Sequence, residues 1–115
     1  MKLIMAVIQP TRLQAVIDAL SRLEVTRLTV CDAQGYGRQL GQVEMYRGRE
    51  YTVHLLRKVV LEIAVNDDFL DRTIDCILET SRTGSEGNIG DGKVFILPLD
   101  DVVRIGNTTR GMEAV

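Results

Sequence analysis

The chain has 115 residues, enough for one domain, and its hydrophobic content of 45% excludes a globally disordered protein. A net charge of −2 and an aromatic content of only 4%, without tryptophan, argue against nucleic acid or an anionic membrane as a direct partner. No apolar run approaches the length of a membrane span, and the apolar N-terminal stretch indicates a first strand instead of a signal peptide.

The first part of the chain alternates between strand and helix patterns. Residues 3–8 form a continuous apolar run typical of a central strand, and Pro10 then suits the first turn of a helix. Apolar residues recur at helical spacing as far as Leu23, which predicts an amphipathic helix. Residues 26–33 return to strand composition.

The second part repeats this order. Residues 58–65 alternate as in a strand, with one apolar face formed by Val59, Leu61, Ile63 and Val65. Residues 66–68 predict the cap and acidic first turn of a second helix, for which Gly84 is the expected left-handed C-cap. Residues 93–97 predict a strand ended by Pro98, and residues 102–105 are a candidate for a short extra strand. We expect the polar tail from Gly106 to be mobile.

This element order predicts an α+β protein with a ferredoxin-like βαββαβ fold. In that arrangement four antiparallel strands form one sheet, and both helices cover the same face. The other face alternates valine and leucine with charged groups, which makes it too apolar to be left in water. We therefore infer that this face packs against other subunits.

The connection between the second and third strands, residues 32–57, is several times longer than an ordinary hairpin loop. It is polar and charged, and its tyrosines make it unlike a plain linker. Long excursions from small domains are usually functional or disordered, so we look for function at the base and the tip of this one.

Two glycine-rich stretches invite comparison with phosphate-binding loops. Residues 87–93 have the glycines and lysine of a Walker A loop, but Val94 stands where a hydroxyl should bind Mg²⁺, and a strand follows. Residues 35–41 miss the dinucleotide fingerprint by one position. What remains is a flexible backbone near Arg38, Lys58 and Lys93, which suits phosphate oxygens. Turn glycines beside a solvated basic patch are the plainer alternative.

Side chains suited to catalysis are few. Cys31 and Cys76 lack metal-site spacing, so we expect both to be reduced and buried in a cytoplasmic protein; a metal or redox role is the less favoured alternative. His54 is the only histidine, and the acidic pairs at 67–68 and 100–101 are better explained as a cap and a turn. A small ferredoxin-fold hydrolase would need an arginine presented with an asparagine or acid, which no motif indicates. We predict that the protein is not an enzyme.

Several runs of sequence, highly specific in combination, cover essentially the whole chain: VCD at 30–32, GYGRQ at 35–39, EMYRGREY at 44–51, LRKV at 56–59, RTG at 82–84 and IGDGKVF at 89–95. In these runs the chain resembles the PII nitrogen-regulatory signal-transduction family. The resemblance implies a homotrimer of single PII-like domains, here residues 1–115. It also implies a T-loop at about 37–55, a B-loop at about 82–92 and a C-terminal loop at about 104–115.

The resemblance further implies ATP or ADP bound between subunits. In this implied site, the base of the T-loop would contact the nucleotide phosphates, and residues on the strands would surround the adenine. The neighbouring subunit would add an arginine. The implied nucleotide-binding residues are Thr29, Gly35, Gly37, Arg38, Gln39, Glu62, Ala64, Gly90, Asp91, Gly92, Lys93 and Arg104.

The same resemblance implies a 2-oxoglutarate site beside Mg-ATP. Lys58 would pair with a carboxylate, and Gln39 would contribute a side-chain oxygen to Mg²⁺, which prefers oxygen ligands. Leu40 and Gly41 complete the implied 2-oxoglutarate site. Two T-loop tip residues match further family positions: Arg47, which contacts ammonium transporters in some members, and Tyr51, which other members uridylylate. An unmodified contact residue is the alternative for Tyr51.

The implied function is a sensor of ATP/ADP and 2-oxoglutarate that regulates an ammonium transporter or a nitrogen-assimilation enzyme through its T-loop. The alternative is a diverged paralogue that binds adenine nucleotide but responds to another small anion, such as bicarbonate. Three departures bear on this choice. The B-loop is about three residues longer at 85–88, Gly106 replaces a second arginine after Arg104, and His54 replaces an acidic residue.

Overall fold

A four-stranded antiparallel sheet with two helices forms the frame of the protein. The computed structural model describes residues 1–36, 44–46, 49–51 and 55–115. In chain order the elements are β1 (Lys2–Ile8), α1 (Leu13–Arg22), β2 (Thr29–Tyr36), β3 (Glu44–Tyr46), β4 (Arg49–Tyr51), β5 (Leu55–Val65), α2 (Asp67–Ser81) and β6 (Gly92–Pro98).

The strand order in the main sheet is β2-β5-β1-β6, while β3 and β4 form a separate two-stranded hairpin. Each neighbouring pair in the main sheet is antiparallel. β5 therefore lies between β1 and β2, and β1 lies between β5 and β6. This is the split arrangement of the predicted ferredoxin-like βαββαβ fold, which is confirmed. In the part of the chain that the structure describes, no helix is long and apolar enough to cross a membrane.

The core lies between the helices and one face of the sheet. Val16 and Leu20 of α1 and Ile77 of α2 are fully buried against it. The predicted apolar face of β5 is confirmed, because all four of its residues are at most 3% exposed. The sheet contributes these buried residues: Ile4, Ala6, Ile8, Val59, Leu61, Ile63 and Val65.

We call the other side of the sheet the open face. Residues that pair directly across an antiparallel ladder point to the same side, so the pairings identify its members. Phe95 pairs with Met5, which pairs with Glu62 on its other side. Phe95 and Leu97 are 48% and 40% exposed. Within the described residues of a single subunit, no helix covers this apolar surface.

Strands β2 and β5 extend further toward the T-loop than their apolar runs predicted. The pairing continues from Thr29↔Glu62 as far as Tyr36↔Leu55. The expected strand bounds of 26–33 and 58–65 are therefore wrong at the T-loop end, because the pairing continues through Gln34↔Arg57 and Gly35↔Leu56, where polar residues and a glycine interrupt the apolar strand pattern.

Two predicted helix ends differ from the structure. Asn66 occupies the N-cap position of α2, but its side chain makes no cap bond and instead donates to the Met112 carbonyl at 3.1 Å. α2 ends at Ser81, and Arg82 is already extended, so Gly84 is not the C-cap. Gly84 does have a positive φ of 71°, but it uses that conformation inside the B-loop.

The C-terminal tail is packed, contrary to expectation. Asp101 accepts bonds from Arg110 at 2.6 and 3.0 Å and from the Gly111 amide at 3.1 Å, and Arg110 holds the pKa of this carboxyl below its usual value. A 3₁₀ turn then seats Ala114 at 7% exposure. The candidate strand at 102–105 is only an isolated bridge between Val103 and Arg110.

Candidate ligand site

The B-loop is organised around the carboxylate of Asp91. This group accepts bonds from the Thr83 hydroxyl at 2.6 Å, the Thr83 amide at 3.0 Å and the Asn88 amide at 2.8 Å. Asn88 completes the network by donating from Nδ2 to the Thr83 hydroxyl at 2.8 Å and the Thr83 carbonyl at 3.1 Å. The Thr83 hydroxyl is the main cause that lowers the pKa of Asp91. The carboxylate is thus engaged within the loop.

The extra B-loop residues lie toward the C-terminal end of α2. Residues 86–88 line a cleft of about 430 Å³ together with Ile77, Leu78 and Ser81 of that helix. Gly87 has a φ of +83°, and a Cβ there would lie 2.9 Å from Cγ of Arg82. Residues 86–88 therefore lie beside the C-terminal end of α2, and β6 begins after them at Gly92.

Two glycines with positive φ bring the B-loop onto the sheet. Gly90 has a φ of +100° and open space around it, whereas Gly92 has a φ of +116°. A Cβ on Gly92 would lie 1.8 Å from the Val7 carbonyl oxygen. Only glycine allows β6 to approach β1 this closely. Lys93 follows on the open face, paired with Val7.

Lys58 connects the base of the T-loop with the B-loop. Its Nζ donates to the Gly90 carbonyl at 2.6 Å. Its stem passes Gly35 of β2, where a Cβ would lie 3.4 Å from the lysine Cγ. Gln9 donates to the same Gly90 carbonyl at 3.2 Å and lies 3.4 Å from the Asp91 carboxylate. Sequence reasoning missed Gln9, because nothing beyond its place at a strand end marked it.

A cleft of about 370 Å³ on the open face gathers several of the predicted residues. Its volume is within the range of small-molecule sites. Two cations and a bend of exposed backbone converge there beside apolar side chains. Its lining includes the predicted residues Gly35, Lys58, Gly90, Gly92 and Lys93.

The predicted adenine residues lie further along the same face. Glu62 pairs with Thr29, and both line a cleft of about 440 Å³ that also includes Ala64. Glu62 is four residues beyond Lys58, which places it about 13 Å away at the usual rise of a strand. The structure therefore arranges the two groups of predicted residues along one surface of a subunit.

Arg104 lies at the opposite end of the sheet from the B-loop. β6 carries the chain about 20 Å from Gly92 to Pro98 before the tail begins. Arg104 Nε donates to the Ala114 carbonyl at 3.2 Å, within the packed tail. One subunit therefore does not bring Arg104 to Lys93.

Several predicted residues lie outside the described residues. They are Gly37, Arg38, Gln39, Leu40, Gly41 and Arg47, together with the noted His54. Tyr51 is the last residue of the hairpin strand β4, described there by its backbone. β2 ends at Tyr36, which lines the cleft with Lys58, so the T-loop departs directly from this site.

Both cysteines are free and half-buried, so the prediction that they are buried is only partly right. Cys31 lies on the open face, where its Sγ is 4.0 Å from Glu62. Cys76 lies on α2, and desolvation by burial, together with the charge of Glu79, raises the pKa of its thiol. A raised thiol pKa disfavours the reactive thiolate.

Comparison with known proteins agrees with this architecture. Residues 1–109 match the family model described as nitrogen regulatory protein P-II. The nitrogen regulatory protein GlnK1 of Methanosarcina mazei is 50% identical over 115 residues, covering 100% of this chain and 97% of that protein.

The nitrogen regulatory proteins P-II of Microchaete diplosiphon and Azospirillum brasilense are 45% and 42% identical, with both chains covered fully. All three relatives carry the name of a regulatory protein. The chain therefore belongs to the family of nitrogen regulatory protein P-II and is a signal-transduction protein, not an enzyme.

Proposed function

We propose that this protein senses ATP or ADP together with 2-oxoglutarate in the cytoplasm and regulates a nitrogen-metabolism target through its T-loop. One observation carries the proposal: the cleft that holds Lys58, Gly90 and Lys93 also contains Tyr36, the residue from which the T-loop departs. A ligand in this cleft contacts the loop base. It can shift the loop only if it binds one loop conformation better than another.

The residues of the cleft fit a nucleotide phosphate. Lys93 supplies a cation, and the glycine-rich backbone from Gly90 to Gly92 offers amide groups to phosphate oxygens. The carboxylate of Asp91 is bonded within the B-loop, which leaves it less free to repel an anion. Arg38 and Gln39 would add contacts from the T-loop base. Thr29, Glu62 and Ala64 would surround the adenine.

A complete site needs a second subunit. Arg104 is too far from Lys93 within one chain, whereas an adjacent subunit packed on the open face can supply it. Phe95 and Leu97 are exposed on that face, and covering them with another subunit would remove apolar surface from water. We therefore propose a homotrimer with nucleotide bound between neighbours.

2-Oxoglutarate would bind beside the nucleotide. When bound, Mg²⁺ supplies positive charge for the keto-acid end of this ligand, and Gln39 is the residue that would help hold the ion. Lys58 would pair with a carboxylate while backbone amides at Leu40 and Gly41 assist. Without a ligand the Lys58 ammonium donates to the Gly90 carbonyl, so a bound carboxylate would compete with that carbonyl for the ammonium.

The T-loop would act on a target protein, either an ammonium transporter or a nitrogen-assimilation enzyme. We assign Arg47 as a target contact and Tyr51 as a position for uridylylation. Mass spectrometry of the protein from nitrogen-limited cells tests the second assignment. A uridylyl group on Tyr51 is expected, and an unmodified tyrosine under those conditions contradicts it.

Lys93→Ala and Arg104→Ala are each expected to weaken ATP binding by about tenfold or more, since each removes a charge-assisted bond to phosphate. Isothermal titration calorimetry with ATP, ADP and AMP measures this. Arg22→Ala is the control, because Arg22 lies on α1 on the opposite side of the sheet. Wild-type affinity in both cleft variants would overturn the assignment of this cleft.

Gly106→Arg extends the same measurement. No atom lies within 4 Å of a Cβ at this position, so a side chain fits without collision. Because Gly106 replaces an arginine, we expect ATP affinity to be lower than in family members with both arginines. An added guanidinium near Arg104 is then expected to tighten ATP binding, and no gain would contradict this explanation.

Binding of 2-oxoglutarate is expected to be strictly ordered. Without Mg-ATP the cation is absent, and Lys58 alone cannot replace the lost hydration of a dicarboxylate. Calorimetry should show no heat with the apo protein or with ADP, and clear heat with Mg-ATP. Because coupling is reciprocal, saturating 2-oxoglutarate must tighten ATP by the same factor.

Gln39→Ala should abolish this coupling while it preserves much of the ATP affinity. If wild-type protein in the presence of Mg-ATP shows no binding heat with millimolar 2-oxoglutarate, the sensor proposal fails. The diverged paralogue that responds to another anion, such as bicarbonate, then becomes the better account.

A further inference from the structure

The carbonyl of Gly90 is the point where the B-loop is held to the rest of the protein by two different donors. Lys58 Nζ donates to it at 2.6 Å from β5, and Gln9 Nε2 donates to it at 3.2 Å from the end of β1. Both side chains are half-buried. The two donors share one acceptor, so each can hold the loop when the other is removed.

The two donors differ in how they respond to an anion. Lys58 carries the charge that a bound carboxylate attracts, so an anion in the cleft competes with Gly90 for this ammonium. Gln9 is neutral and offers an anion no net attraction. The bond from Gln9 therefore persists when Lys58 turns toward a ligand.

The backbone of Gln9 is well placed to hold the loop. The preceding residue, Ile8, pairs with Val59 on one side and Gly92 on the other. The carbonyl of Gln9 accepts a bond from the Arg12 amide at 3.0 Å in the following turn. Gln9 thus directly follows β1, one of the two inner strands of the sheet, while Gly90 belongs to a loop.

We propose that Gln9 is a positioning residue that keeps Gly90 and Asp91 in place while Lys58 binds an anion, and so allows the anion and the nucleotide to be bound at the same time. The role of Gln9 in coupling rests on the proposed function. The shared hold, by which Gln9 and Lys58 both donate to the Gly90 carbonyl, does not depend on that function and can be tested without any ligand.

The first test measures amide hydrogen exchange of residues 83–93 in the apo protein. Gln9→Ala and Lys58→Ala should each raise exchange by about fivefold, since one donor remains. The double variant should raise it by clearly more than the product of the two single effects. Gln14→Ala, which removes an exposed amide that bonds Asp18 on α1, should change nothing. A double effect equal to the product, or no effect of either variant, overturns the shared hold.

The second test measures the coupling factor, which is the factor by which saturating 2-oxoglutarate increases the affinity for Mg-ATP. This factor should fall about fivefold in Gln9→Ala, and Gln9→Glu should lower it further, because a carboxylate there cannot donate to Gly90 and repels Asp91. Gln9→Lys restores a donor and should recover much of the factor. A wild-type factor in Gln9→Ala overturns the coupling role. Failure of the proposed function looks different, since the wild-type protein itself would then show no 2-oxoglutarate response.

Discussion

Gly92→Ala is expected to lower the free energy of unfolding by about 3 kcal/mol or more. A positive φ strains any other residue, and here the new methyl would also lie 1.8 Å from the Val7 carbonyl oxygen. β6 must then separate from β1, which displaces Lys93 and the B-loop together. Urea unfolding at one fixed protein concentration measures the loss, because the stability of an oligomer depends on concentration.

Substitutions at two other glycines separate the effect of backbone strain from the effect of the collision with Val7. Gly90→Ala introduces the same kind of φ strain in open space, and we expect it to cost about 1 kcal/mol. Gly106→Ala introduces neither strain nor collision and should be close to neutral. If Gly92→Ala costs no more than Gly90→Ala, the close approach of β6 to β1 is not what requires this glycine.

Phe95→Glu is expected to convert the proposed trimer into a 12.8 kDa monomer. Its carboxylate would lie on the open face beside Met5, whose other neighbour in the sheet is Glu62. Covering this face with another subunit would then bury a second negative charge without a partner, which is strongly unfavourable. Multi-angle light scattering at micromolar concentration measures the mass, and ATP binding should fall with it.

Ile96→Glu is the matched control. Ile96 and Phe95 are adjacent and almost equally exposed, at 47% and 48%, but Ile96 pairs with the buried Ile4 and belongs to the helix-covered side. The control should therefore remain trimeric. A wild-type monomer, or a Phe95→Glu variant that stays trimeric, would contradict the open face as the subunit interface.

The sequence by itself determined the fold class, the order of the four main strands and two helices, and the buried face of β5, but not the hairpin of β3 and β4. These depend on local patterns: alternation with a period of two in a strand, helical spacing of apolar residues, and proline or glycine where an element changes. The long connection was also evident, because two strand patterns are separated by far more residues than a hairpin requires. The family followed from short runs whose combination is specific.

Only the tertiary structure decided which of these residues meet. Gln9 and Gly90 are 81 positions apart, and Lys58 joins them because β1 pairs with β5 on one side and β6 on the other. The tail was expected to be mobile, but hydrogen bonds from Arg110 to the Asp101 carboxylate hold it in a packed conformation. Such contacts carry no local pattern, since strand register and loop closure bring together side chains that are remote in sequence. That physical reason explains why Gln9 was missed and why the sequence did not reveal that Arg104 lies far from Lys93 within one chain.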